Sequence, residues 1–170
     1  MQRSGTLQVS LPSDTEILMT REFDAPRRLV FAALTQPDLL RRWFGGPPGW
    51  RLDVCELDAR VGGKYRYVWV GSNGEVMGMG GTILELDAPE RMVADERYDQ
   101  AWYEGKGISS IVLTEQAGRT TLRLTVRYDS KAVRDHVLSF PAIAGVEMGY
   151  DNLAGWLAGA DAQAELARLD

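Results

Sequence analysis

The sequence predicts an α+β fold in which a curved antiparallel sheet wraps a long C-terminal helix. Three observations predict it. Apolar side chains alternate with a period of two through most of the stretch from Arg51 to Tyr128, the gaps in that stretch are short and rich in turn residues, and the period is helical before and after it. Short connections between strands mean antiparallel neighbours.

Taken in order, residues 1–13 are polar without a sustained period and are expected as a flexible N-terminal arm, with 14–170 forming a single domain. The run TEILMTREF from Thr15 to Phe23, bounded by Asp14 and by Asp24-Ala-Pro26, suits a first strand. Asp24 is placed to cap a helix whose first turn holds Pro26 and whose stripe is Leu29, Val30, Ala33 and Leu34. A second short helix begins at Pro37, puts Leu39, Leu40, Trp43 and Phe44 on one face, and stops at Gly45-Gly46-Pro47-Pro48. This pair has a helix-turn-helix outline. Its second member, however, carries aromatics where a DNA-reading helix carries polar groups.

Six further strands are expected at residues 51–57, 63–70, 75–86, 91–98, 107–115 and 119–128, making seven in all. Turns at Gly71-Ser-Asn-Gly74, Asp87-Ala-Pro89 and Gln116-Ala-Gly118 separate several of them. Ser130 or Asp129 then caps a helical segment through Phe140. Pro141 restarts or bends it, and Ala142, Val146, Gly149, Leu153 and Leu157 recur at helical spacing to close the chain with one long amphipathic helix.

Composition excludes several classes of function. The 170 residues carry 19 basic and 24 acidic side chains, a formal charge of −5 that repels phosphate backbones, so no nucleic-acid partner is expected. Cys55 is the only cysteine and His136 the only histidine, so an internal disulfide and histidine-cluster zinc are excluded and no metal or other cofactor is expected. The N-terminus lacks the apolar run of about 7 to 15 residues that a signal peptide requires, and no segment approaches the ~18 apolar residues of a membrane span. A cytoplasmic protein without membrane insertion is the expectation. His136 lies among charged residues in KAVRDHVLSF and reads as a surface histidine.

The segments FDAPRRLVFAALTQPDLLRRWFGG, ELDARVGGKYRYVWV, LDAPERMVADERYD, WYEGKG, LTEQAGRTTLRLTVRY and MGYDNLAGWL occur in that order over roughly residues 15 to 160. They resemble those of bacterial homologues of the heat shock protein ninety ATPase activator, members of the START-like or SRPBCC superfamily. The resemblance implies a helix-grip fold: a seven-stranded sheet curled round the C-terminal helix, with a cavity between them roofed by the two short helices. It implies binding of a small apolar or aromatic molecule, with a cyclase- or hydrolase-like enzyme on a polyketide-like or aromatic substrate as the alternative. A chaperone-associated role ranks third. The chain lacks the additional N-terminal chaperone-binding domain of the eukaryotic activators, so no chaperone partner is expected; a homodimer is compatible with the sequence.

Strand parity supplies the candidate lining. Tyr65, Tyr67 and Trp69 share one side of their strand and the charged Lys64 and Arg66 the other, so the aromatics face inward. Met77, Met79, Ile83 and Glu85 share a parity on the next strand, beside glycines that leave room or let the sheet curve. Core packing alone accounts for such a stripe; the resemblance favours a ligand lining. Met77, Met79 and Met148 suit a pliable wall. Trp43, Phe44 and Trp50 flank the GGPPG turn, as a lid at the rim or as ties between helices and sheet, and Trp102 to Gly105 forms the opposite rim.

The chemical candidates are two carboxylates. Glu85 shares parity with Ile83, and Glu96 with Met92 and Tyr98. Turned inward, either would have its pKa raised by desolvation and would serve as acid, base or polar anchor; turned outward, it would join a rim salt bridge with Arg66 or Arg97. Glu147 is equally ambiguous. Pro141-Ala-Ile143 stands where many relatives carry a Gly-Met-Glu-like piece, which makes that region drier and the helix start kinked.

Overall fold

A computed structural model describes residues 6–169; residues 1–5 of the expected arm and Asp170 lie outside the described part. The elements are β1 (Gln8–Ser10), β2 (Glu16–Phe23), α1 (Arg27–Thr35), α2 (Pro37–Trp43), β3 (Arg51–Leu57), β4 (Lys64–Val70), β5 (Val76–Asp87), β6 (Arg91–Tyr98), β7 (Gly107–Gln116), β8 (Arg119–Arg127), α3 (Lys131–Leu138), α4 (Ala142–Leu157) and α5 (Ala160–Leu169). The strands form one eight-stranded antiparallel sheet in the order β1-β2-β8-β7-β6-β5-β4-β3. From β3 to β8 each strand pairs with the next in sequence, as the short turns require. The link from β2 to β3, which carries α1 and α2, instead crosses from one side of the sheet to the opposite edge.

Four expectations are corrected. The sheet has eight strands rather than seven, because Gln8–Ser10, inside the stretch expected as a loose arm, pairs with β2 and sets Val9 opposite Met19. Three residues give no measurable period, so the partner strand had to reveal it. Asp24 does not cap α1; the N-cap is Pro26, without a side-chain cap, and the free Arg27 N–H donates to Glu115 Oε1 of β7 at 2.6 Å. The C-terminal helix is not continuous to the end. A turn closed by the Gly159 N–H donating to Trp156 O at 3.0 Å separates α4 from α5, which folds back against α1 and α4 and buries Ala162 completely.

The fourth correction is a matter of register. Between Ile83 and Glu85 the β5–β6 ladder slips by one residue, a bulge that reverses which side of the sheet the following residues face. Ile83 is fully buried, but Glu85 turns to the outer face and Leu86 takes the inward position opposite Met92. On the rest of the inner face parity holds. Tyr65, Tyr67 and Trp69 are buried, and their cross-strand neighbours Gly81, Met79 and Met77 share their side.

The interior comes in two parts. A larger cluster under α1, α2, α4 and α5 contains Phe23, Leu29, Leu34, Tyr67, Trp69, Leu153 and Leu157. A smaller one at the other end, beside α3, contains Ile17, Met19, Tyr103, Val126, Tyr128 and Val137. Leu7, Leu124 and Val146 touch both clusters, and each keeps partial solvent access. Ser130 caps α3 by accepting the Val133 N–H, as expected.

Candidate functional site

The aromatic stripe divides between the two ends of the inner face. At the α2 end the rings are in mutual contact: Phe44 lies 5.4 Å from Tyr67 and 5.0 Å from Trp69, both edge to face, and 4.9 Å from Trp43. Their polar atoms are used as ties. The Trp69 indole donates to Phe44 O at 2.8 Å and the Trp43 indole to Ala33 O at 3.0 Å. Trp50 is half-buried beside Gly46 and Gly71, so the GGPPG loop is anchored to the sheet by its own aromatics. Met77 is 38% exposed near the β4–β5 turn, whereas Met79 and Met148 are half-buried.

The other end holds the chemistry. Glu96 of β6 faces inward beside Tyr65 of β4, Tyr98 of its own strand, Tyr103 of the β6–β7 loop and Tyr128 just after β8. Tyr103 donates its hydroxyl to Glu96 Oε1 at 3.3 Å, and the Tyr103 ring meets Tyr98 at 6.0 Å and Tyr128 at 5.3 Å. No basic side chain lies within ion-pair distance of Glu96 among the described residues. Burial therefore pushes its carboxyl up to about 7, opposed by the Tyr103 hydrogen bond. The four phenols are raised by burial first and by the Glu96 charge next.

The middle of the inner face is not fully buried. Met79, Met92, Glu96, Tyr98 and Ile111 all face inward on the middle strands and all keep partial access, where a solid core would bury them. Glu85, by contrast, is 56% exposed and pairs with Arg91 at 2.8 Å. Glu147 is exposed on α4.

An open depression of about 690 Å³ borders this end, lined by Trp102, Tyr103, Gly105, Ser130, Val133 and His136 among others. Trp102 packs on Phe140 at 5.3 Å and on Tyr98 at 5.5 Å, and its carbonyl bonds His136 Nε2 at 3.0 Å. Tyr103 thus lines the depression on one side while its hydroxyl reaches Glu96 on the other. A second depression, about 600 Å³, lies on the outer face, where Arg66 pairs with Asp99 at 2.8 Å and Lys64 donates to Thr82.

The model of the family described as Activator of Hsp90 ATPase homolog 1-like protein matches residues 24–158. The chain belongs to that family. Among solved structures, a protein from Rhodobacter sphaeroides is 30% identical with a TM-score of 0.84, over 90% of this chain and 98% of that one. A Mycobacterium smegmatis protein at 24% identity has a TM-score of 0.78, covering 91% and 98%. The AHSA1 protein from Silicibacter pomeroyi, at 22% identity, has a TM-score of 0.69, covering 84% and 97%. The last two show the fold alone. No curated protein matches the chain.

Within this Hsp90 ATPase activator homolog-like chain, Glu96, Tyr65 and Tyr98 are candidates that strand parity supplied and that the fold brings together. Trp43, Phe44, Tyr67 and Trp69 gather in or against the larger cluster, which Tyr65 also joins, and Ile83 is buried on β5. Of the tyrosines around Glu96, Tyr128 was missed and Tyr103 was expected only as part of the Trp102–Gly105 rim. Tyr128 continues the inward parity of Leu122, Leu124 and Val126, a signal the sequence does contain. Tyr103 sits in an irregular loop where no period applies. Arg21 was missed as well: it is 4% exposed on the inner face and pairs with Asp151 of α4 at 2.7 Å. Among the described residues no cluster of three metal-ligating side chains occurs, and no helix is long and apolar enough to cross a membrane.

Proposed function

We propose that the protein binds a small molecule with an apolar or aromatic body in the gap between the inner sheet face and α4, with Glu96 as its polar anchor. One observation carries this reading. A carboxyl is placed inward among four tyrosines with no basic partner, an arrangement that is expensive in a pure core and useful in a site. The family's fold, in which a sheet curls round a helix, is compatible with a ligand there. Apolar walls with a few convergent polar groups are the usual composition of small-molecule sites.

The test is a neutral solvatochromic dye, Nile red, titrated into native protein, with native mass spectrometry of protein purified from its own host. Saturable blue-shifted fluorescence near one dye per chain is expected, abolished by Leu124→Trp, which enlarges a half-buried side chain that touches both clusters on the inner face. A bare mass together with a dye response that Leu124→Trp leaves intact would remove the proposal.

A second reading is favoured by the same carboxyl. With its pKa near neutrality, Glu96 is suited to general acid or base work on a bound aromatic or polyketide-like substrate. Glu96→Gln would then keep binding and lose turnover; unchanged turnover would exclude it.

A further inference from the structure

We propose, resting on the binding site above, that the Glu96 pocket takes a ligand bearing a protonated amine or other cationic nitrogen on an apolar body. The geometry points there by elimination of charge partners. Glu96 Oε1 accepts from Tyr103, while Oε2 has no hydrogen-bond partner among the described residues and is not sealed off. Among the neighbouring basic groups, Lys106 pairs with Asp95, Arg66 with Asp99 and Arg91 with Glu85, while Arg97, next to Glu96 on β6, is exposed on the opposite side of the strand at the edge of both depressions. The other inward ion, Arg21, has Asp151.

The rings complete the argument. Tyr103 meets both Tyr98 and Tyr128 edge to face, and Tyr65 lies near enough to feel the Glu96 charge, so the site offers negative charge among aromatic rings. A cation satisfies both. An anion meets repulsion from both, and a purely apolar guest leaves the carboxyl unpaired in a drier setting than before. The chain's formal charge of −5 favours the same sign of ligand at longer range.

Proton bookkeeping follows from the surroundings. The titratable groups facing Glu96 are Tyr65 from β4, Tyr98 from β6, Tyr103 from the β6–β7 loop and Tyr128 after β8, all with raised pKa values and all neutral at pH 7. Only Glu96 exchanges a proton there. Its carboxyl, held at about 7, is partly protonated at neutral pH, so an arriving cation drives that proton off.

Isothermal titration with 4-phenylbutylamine, 4-phenylbutan-1-ol and 4-phenylbutanoate tests this on the whole chain, using wild type, Glu96→Gln and Glu96→Asp. The amine is expected to bind at least about tenfold more tightly than the alcohol, to weaken by about tenfold or more in Glu96→Gln, and to weaken less in Glu96→Asp. In paired buffers of different ionisation enthalpy at pH 7, it should release a fraction of a proton from wild type and none from Glu96→Gln. An alcohol that binds as tightly as the amine, or an amine indifferent to Glu96→Gln, overturns the cation proposal and leaves the pocket standing. If no probe binds wild type or Glu96→Gln, both readings fall.

Discussion

Glu96 dominates the residue scale because its ionisation opposes folding. Its folded pKa of about 7 stands above the unperturbed 4.5, so the unfolded chain gives up the proton first as pH rises. Stability is therefore fully present below about pH 4.5, declines between about 4.5 and 7, and is lower by about 3 kcal/mol beyond that. Urea unfolding at pH 5 and pH 8 should show this fall in wild type and not in Glu96→Gln, leaving the variant the more stable of the two at pH 8. A steeper pH dependence in the variant would contradict it. Tyr103→Phe removes the one hydrogen bond that favours the charged form, so the Glu96 carboxyl should titrate higher still, by a few tenths to about one pH unit in a carboxyl-carbon NMR titration. Parity grouped Glu96 with Met92 and Tyr98 without deciding its side, and the tyrosine facing it across the loop could not be reached the same way. Tyr103 has no strand to count along.

At the scale of elements, the β5–β6 pair shows where local pattern stops. Ile83 is correctly inward, yet two positions later Glu85 is outward, because the ladder gains a residue in β5 that no feature of the β5 sequence marks. Close backbone approach in the same strand is legible only with coordinates. A Cβ on Gly81 would overlap the Asp95 carbonyl oxygen of β6, whereas one on Gly145 in α4 would meet nothing within 4 Å. Gly145→Ala should therefore stabilise the protein by roughly 0.5–1 kcal/mol through helix propensity, while Gly81→Ala destabilises it by more than about 2 kcal/mol by forcing β5 and β6 apart. Thermal unfolding of the two variants checks the pair; equal effects of one sign would refute the geometry. Helix starts behaved unevenly for a physical reason. Ser130 caps α3 from within its own segment, but the first turn of α1 is satisfied by Glu115, 88 residues away.

For the whole molecule the consequence is an interior of unequal density. Leu153 is completely buried in the larger cluster, whereas Val146, two turns earlier on α4, bridges the two clusters and keeps partial access. Leu153→Ala should cost about 2–5 kcal/mol, and Val146→Ala under about 1 kcal/mol, because a site that is already open loses few contacts and gains little new void. Urea denaturation of both variants measures the difference. Similar losses would mean that the gap end is as tightly packed as the rest. The helices positioned on one face of the curved sheet make this asymmetry. α1, α2 and α5 close one end of that face, and α3 with the 99–106 loop stands at the other.

The sequence by itself determined the α+β class, the order of the strands from β3 to β8 and the inward aromatic stripe, and left Glu96 open between the two faces. The first three follow from periods of two and 3.6 and from turn chemistry, which act between neighbours along the chain. Only the tertiary structure decided that β1 joins the sheet, that Glu85 leaves the inner face, that the chain turns back at Gly159, and that Tyr103 and Tyr128 meet at Glu96. Those outcomes depend on which distant backbones pair and at what offset, and a bulge of one residue or a folded loop changes them without altering the local pattern.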